Sequence, residues 1–354
     1  MRHTFPKAPY VDLLDGETFT ELLASPSRIE RRIPKGTKWV VVDEVQRAPD
    51  LLNEAHRLIE ERKIHFVLTG SSARKLRRGP ANLLAGRAYT MRMHALTCKE
   101  LGKAFDIRHS LRFGQLPAAY VDRNPRKFLQ SYVQMYLREE VQAEGLTRNL
   151  SAFARFLEAI SFSQGSPLNL SSVARDCHVE RKVVEDYVTI LEDLLLATRV
   201  PVFTRRAKRK MATHTKFYFF DAGVYRAIRP KGPLDSADEI DGPALETLLL
   251  QELRAHNDYG ELGYDVFHWR SITGEEVDFV LYGERGLLGF EVKRADRVRD
   301  RDLDGIQAFL SDYPMARTFL VYGGTRTYTD GPVTVLPLEA CLRRLPVLLS
   351  KPGG

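Results

Sequence analysis

Apolar positions fall along this chain in three successive rhythms. In the first, Trp39-Val40-Val41-Val42 runs unbroken into Asp43-Glu44. The run is too short for a helix and rich in valine, so it predicts a strand buried on both faces. Ala8–Asp15 and His65–Gly70 predict two more strands. Glu17–Ser25 and Pro49–Arg62 predict helices, the latter with Leu51, Leu52, Ala55, Leu58 and Ile59 at helical spacing. Strands alternating with helices predict a parallel sheet.

The second rhythm is helical. Pro125–Gly145 carries Phe128, Tyr132, Met135, Tyr136 and Val141 at roughly helical spacing. Phe153–Ser161, Leu170–Val179 and Glu180–Leu196 predict three more helices, and Thr198–Phe203 and Thr215–Phe220 predict two strands. Together they have the pattern of a helix-turn-helix with a wing. The third rhythm is mixed. Pro230–Gly242, with its Gly, Pro and acids, predicts a linker. Ala244–His256 predicts a helix, and Val266–Arg270, Glu275–Tyr282 and Leu287–Lys293 predict strands. The last two form a hairpin about Gly283–Gly286. Asp302–Leu310 predicts a helix and Thr318–Tyr322 a strand. Gly331–Pro337 predicts an edge strand, because its prolines cannot donate to a ladder. Leu342–Leu349 closes the chain.

Composition narrows the class. A length of 354 residues suggests two or three domains. Apolar and charged fractions of 44% and 28% are those of a soluble globular protein. No apolar run is long enough to span a bilayer, and the first ten residues lack the apolar core of a signal peptide. Cys98, Cys177 and Cys341 are isolated from one another, which argues against structural zinc and a disulfide framework. A reducing cytoplasm is the simplest setting. A net charge of +7 and a pI of about 9.2 are compatible with a nucleic-acid partner without requiring one.

Asp43 and Glu44 fall at the carboxy-terminal end of the central strand, where parallel sheets place their ligand crevice. In P-loop ATPases such a pair is the Walker B element: the Asp holds Mg²⁺ and the Glu polarises the attacking water. Acidic residues also follow strands simply because the chain has reached solvent. Thr69, Ser71 and Ser72, at the end of the next strand, are candidates for a group that senses a γ-phosphate. The same Thr-Gly-Ser-Ser also reads as a turn with a helix cap. Arg87, in Leu84-Ala85-Gly86-Arg87, could reach a phosphate as an arginine finger, which would require a neighbouring subunit.

The order Asp-Glu-Val-Gln-Arg, helix, Phe-Val-Leu-Thr-Gly-Ser-Ser, Leu-Ala-Gly-Arg resembles the AAA-superfamily ATP-binding modules of a large prokaryotic family. In that family the module precedes a carboxy-terminal domain of unknown function with a restriction-endonuclease-like core. The resemblance implies ATP and Mg²⁺ as cofactors, Asp43, Thr69, Ser71 and Arg87 on the nucleotide, and Glu44 as the catalytic carboxylate. One departure matters. No G-x-x-x-x-G-K-[ST] phosphate loop occurs in the sequence. The family places it shortly before the segment that begins here, and its backbone N–H groups and Lys hold the phosphates. The expectation is a truncated P-loop sheet, either shortened or a remnant, with little or no ATP hydrolysis.

Arg205-Arg206-Ala207-Lys208-Arg209-Lys210 lies between the two wing strands. A recognition helix with a basic wing could bind DNA through phosphate contacts. A protein-interaction winged helix with a solvated basic loop has the same pattern.

Asp278 lies inside one strand of the carboxy-terminal hairpin, and Glu291 and Lys293 lie two apart in the other, on one face. Buried charges in a hairpin need a reason. The spacing D-(x)12-E-x-K is that of restriction-endonuclease-like nucleases, written PD-(D/E)xK. In these, Asp and Glu ligate Mg²⁺, the Lys orients water or steadies charge, and a Glu of the preceding helix, here Glu246, often completes the site. Acidic oxygens suit Mg²⁺ or Mn²⁺. Val277 stands where a Pro commonly precedes the Asp. An ion pair closing a hairpin that has lost its metal gives the same spacing.

The expected organisation is an AAA-type module over 1–105, a helical and winged-helix middle over 106–229, and a nuclease-like α/β domain over 243–354. The expected function is an ATP-binding-family protein with a DNA-contacting, nuclease-like tail. A Mg²⁺-dependent DNA nuclease and a non-catalytic DNA- or protein-binding protein are the alternatives.

Overall fold

The computed structural model describes residues 1–70, 88–136, 149–233 and 235–350. The chain divides into two compact units, residues 1–90 with 191–196 and residues 91–190 with 197–354.

In the first unit, strands β1 (Tyr10–Asp12), β2 (Trp39–Asp43) and β3 (His65–Leu68) form a parallel sheet in the order β1-β2-β3. Helices α1 (Gly16–Ala24) and α2 (Leu51–Arg62) provide the crossovers. Val40, Val41 and Val42 are all buried. Successive side chains of a strand face opposite sides, so an unbroken apolar run needs cover on both. Val40 and Val42 share a core with Leu13, Leu22, Ile29, Leu51, Leu52 and Leu58. Asp15 caps α1 by accepting from the Thr18 N–H at 2.9 Å. At the end of β2, Glu44 adopts the left-handed conformation with φ 59°, a strained one for a residue with a side chain. The chain leaves the sheet there, so both carboxylates stay at the strand end.

The second unit contains helices Leu150–Ser161, Leu170–Cys177 and Arg181–Asp193, then an antiparallel pair, β4 (Ala197–Val200) and β5 (Lys216–Phe219). Asn169 caps the second helix, and His178 in the left-handed region ends it. The stretch after Pro125 is helical over Pro125–Ser131 and continues as a π-turn over Tyr132–Tyr136; Val141 lies outside the described residues. A six-stranded sheet follows, built from β6 (Asp265–Arg270), β7 (Glu276–Gly283), β8 (Gly286–Lys293), β9 (Arg317–Tyr322), β10 (Tyr328–Asp330) and β11 (Val333–Pro337). Its order is β10-β11-β9-β8-β7-β6. β6, β7 and β8 are antiparallel neighbours; β8, β9 and β11 run parallel.

Two helices pack on one part of this sheet. Leu245, Leu248, Leu249 and Leu253 of the helix Ala237–Tyr259, with Leu342 and Leu345 of the helix Leu338–Leu348, share a core with Phe279, Leu281, Leu288 and Phe290. Ile306 and Phe309 of the helix Asp304–Asp312 pack with Val277, Val280 and Leu320 in a second core.

The structure corrects two expectations. Much of the proposed linker is helix, because Ser236 and Glu239 form a capping box that starts the long helix at Ala237. Pro243 then lies inside it. A proline cannot donate to the carbonyl four residues back, and the Tyr225 hydroxyl reaches that carbonyl, Glu239 O, at 3.5 Å. Nor is β11 an edge strand. β10 pairs with its outer side, and Pro332 precedes β11 while Pro337 ends it, where a missing N–H costs little.

Candidate functional site

The carboxy-terminal candidates converge. The β7–β8 register that pairs Phe279 with Phe290 brings Asp278 beside Glu291. The Asp278 N–H donates to Glu291 Oε2 at 3.2 Å, and the Val292 N–H donates to Asp278 Oδ2 at 2.9 Å. Lys293, two residues along the same face, donates to Glu291 Oε1 at 2.6 Å. Glu246 comes from the long helix and accepts from the Tyr218 hydroxyl at 2.7 Å. All four expected residues line one cavity of about 610 Å³, with Lys216, Glu276, Arg270 and Arg301 among its other walls. Gly165 also lines it: a Cβ there would lie 3.1 Å from Glu246 Oε2, and the backbone has φ +70°.

Lys216, the first residue of β5, joins the four expected residues. Its side chain is 3% exposed, and its Nζ lies 2.9 Å from Asp278 Oδ1, 3.9 Å from Glu246 Oε2 and in direct contact with Glu276. Glu276 is also held by Arg270 at 2.8 Å. A sparse signal did exist. Lys216 sits in a run of otherwise apolar residues, Lys216-Phe217-Tyr218-Phe219, where a buried ammonium requires a carboxylate.

These contacts shift the ionisations. Burial, reinforced by the Asp278 charge, pushes Glu246 up to about 8. Burial, then the Asp278 charge, also drives Glu291 well above the ordinary range, while Lys293 pulls the other way. Burial disfavours the Lys216 ammonium, but Asp278, Glu246 and Glu276 outweigh it and hold the proton firmly. Both glutamates therefore hold a proton more tightly than an ordinary carboxyl. His268, buried in β6, is held down at about 4 by burial and by the Lys216 charge.

The donor set, all carboxylate oxygens, is of a kind a hard divalent ion takes. The arrangement does not fit one. Among the described residues no group of three or more His, Cys, Asp or Glu is placed to hold a metal. Both oxygens of Asp278 and both of Glu291 are engaged by protein donors.

In the first unit the structure brings Asp43 and Thr69 together at the ends of β2 and β3. The Thr69 hydroxyl donates to Asp43 Oδ1, and the Tyr10 hydroxyl, from β1, donates to Oδ2. Burial opposes ionisation of Asp43, but these two hydroxyls and the Glu44 N–H outweigh it and hold the carboxyl below its ordinary value. Glu44 accepts from the Gln46 amide. Ser71, Ser72 and Arg87 lie outside the described residues. No Walker A sequence occurs in this chain.

The basic cluster has work inside the second unit. Arg209 forks onto Asp312 at 2.7 and 3.0 Å, with its guanidinium 5.4 Å from the Trp269 ring centre. Lys208 donates to Ser311 O at 3.2 Å, and Arg205 lies 4.6 Å over the Tyr282 ring. The cluster is thus in part a clasp onto the helix Asp304–Asp312 and the sheet rings Trp269 and Tyr282; Arg205, Arg206, Lys208 and Lys210 are exposed. Among the described residues no helix is long and apolar enough to cross a membrane.

Comparison with known proteins agrees with the two ends of the chain. Residues 1–102 match the model of an AAA domain, and residues 241–341 match a domain of unknown function, DUF4143. Residues 104–235 match another domain of unknown function, DUF8612. The chain is therefore similar to an AAA domain at its amino-terminal end and to DUF4143 at its carboxy-terminal end. An uncharacterized protein of Mycobacterium tuberculosis is 24% identical over 313 residues, covering 86% of this chain and 69% of that protein. An uncharacterized protein of Haemophilus influenzae is 21% identical over 296 residues, covering 78% and 70%. The crystal structure of protein VC1899 from Vibrio cholerae covers 92% of this chain and 94% of its own, at 13% identity and a TM-score of 0.23. That score is too low to inform the fold.

Proposed function

We propose that the chain couples an AAA-type module, weak in nucleotide binding for want of a phosphate loop, to a nuclease-like domain whose pocket engages the phosphodiester backbone of nucleic acid. The observation that carries this reading is the convergence of Asp278, Glu291, Lys293 and Glu246 in one cavity. Lys293 is the group offered to a phosphate: its side chain is 35% exposed while Glu291 fixes its direction. Glu246, whose carboxyl is pushed up to about 8, can donate a hydrogen bond to a phosphate oxygen when it holds its proton. Arg270 and Arg301 add positive charge to a lining that also carries Glu275, Glu276, Asp302 and Asp304. The helices Leu150–Ser161, Leu170–Cys177 and Arg181–Asp193 with the β4–β5 pair are read as a winged helix. We assign it no DNA contact, because most of its basic loop is engaged elsewhere. Metal-dependent cutting is not assigned either, since the carboxylates as arranged do not fit a metal ion.

Fluorescence anisotropy with labelled single- and double-stranded oligonucleotides across a salt series tests the reading on the full chain. Lys293→Ala is expected to weaken binding and to flatten the salt slope by about one charge. No binding by the wild-type chain, or identical binding by Lys293→Ala, sinks it. Mg²⁺-dependent cleavage lost in Asp278→Asn would replace the binding role with a nuclease one.

A further inference from the structure

We infer that Lys216 is the resident cation of this pocket: its ammonium stands where a divalent ion would have to bind and keeps the carboxylates from forming a metal site. The inference rests on the nuclease-like reading of the pocket and concerns what governs it. A divalent ion needs several oxygens at about 2.0–2.6 Å. Lys216 Nζ instead gathers Asp278, Glu276 and Glu246 from three directions. An ammonium can donate three hydrogen bonds and carries one charge. It satisfies the acids electrostatically and occupies the point on which they converge.

Two further observations fix it there. The side chain is almost wholly buried, so it has no solvent into which to swing. Its backbone is held on both sides, paired with Val200 in the β4–β5 ladder and bridged to Pro167. The other oxygen of Asp278 is held by the Val292 N–H. Replacing the ammonium by an uncharged stem of similar length should therefore remove the cation that Asp278, Glu276 and Glu246 share, while Val292, Arg270 and Tyr218 keep them in place.

The test is a Mn²⁺ titration of the full chain, with free Mn²⁺ followed by electron paramagnetic resonance. Wild type, Asp278→Asn, Lys216→Met and Lys216→Met/Asp278→Asn are compared. Lys216→Met is expected to bind Mn²⁺ at least about tenfold more tightly than wild type, the scale on which surrounding groups tune metal affinity. Adding Asp278→Asn should abolish the gain. Two results overturn the inference: wild-type Mn²⁺ binding that Asp278→Asn removes, or a folded Lys216→Met with no gain. If Lys216→Met does not fold, Lys216→Gln, which keeps a polar tip, undergoes the same titration with the same criteria. Failure of the pocket reading shows separately, as loss of oligonucleotide binding in the anisotropy assay, which involves no Mn²⁺.

Discussion

The ammonium of Lys216 and the carboxylate of Asp278 lie 2.9 Å apart across 62 residues of sequence, joining β5 to the middle of β7. The pair ties the helical middle of the chain to its carboxy-terminal sheet, and both partners are buried. Removing one partner of such a pair leaves an uncompensated buried charge, at a cost of about 3–5 kcal/mol. Lys216→Ala is expected to lower the urea midpoint accordingly. Lys216→Ala/Asp278→Asn should recover part of the loss. Additive losses would mean that the two groups do not compensate one another.

Glu246 makes stability depend on pH. Its folded-state pKa, about 8, lies above that of the unfolded chain. The folded state therefore binds the proton more tightly, so this contribution is complete below the ordinary carboxyl range and is lost as pH rises through about 8. Glu246→Gln should flatten the alkaline side of a melting-temperature profile and change the acid side little. An unchanged alkaline slope would show that Glu246 ionises normally.

His268 acts at the other end. Its pKa is held down at about 4, so the folded state favours the neutral ring. Its contribution is complete above the ordinary histidine range and is lost as pH falls through about 4. A histidine-resolved NMR titration should show one ring resisting protonation until near that pH. Titration of every ring in the normal range would contradict the burial of His268.

In the first unit, Asp43 is bound by the Thr69 and Tyr10 hydroxyls, and this chain carries no phosphate loop sequence. Isothermal calorimetry with Mg²⁺-ATP is expected to show no micromolar binding, with Asp43→Ala indistinguishable from wild type. Micromolar binding lost in the mutant would show that the β2–β3 strand ends hold nucleotide unaided.

The clasp reading of the basic cluster separates two arginines. Asp312 is buried, and Arg209 supplies both of its charged hydrogen bonds. Arg209→Ala should cost on the order of 2–3 kcal/mol, the scale for bonds to charged groups. The exposed Arg206→Ala should lie within about 0.5 kcal/mol of wild type. Equal effects in chemical denaturation would mean that the cluster is a solvated loop.

Much of this was legible in the sequence because much of it is local. The valine run before Asp43 could be satisfied only between two covered faces. The D-(x)12-E-x-K spacing placed its three groups on one hairpin, since the alternation of a strand and the length of a turn fix which side chains meet. The AAA motifs pointed to the family-model match at residues 1–102. Local signals also misled where two of them competed. The Gly, Pro and acids of Pro230–Gly242 predict a linker, yet the Ser236/Glu239 capping box starts a helix within it.

The sequence by itself determined the order of elements, the two parallel-sheet carboxylates and the hairpin triad, because periodicity and short spacings act over a few residues. Only the tertiary structure decided what those groups face. Tyr10 reaches Asp43 from a neighbouring strand, Arg209 turns inward onto Asp312, and Lys216 enters the acidic pocket from a different element. A charge does not announce its partner along the chain. Burial makes the partner obligatory, and the packing of distant elements determines which residue fills the role.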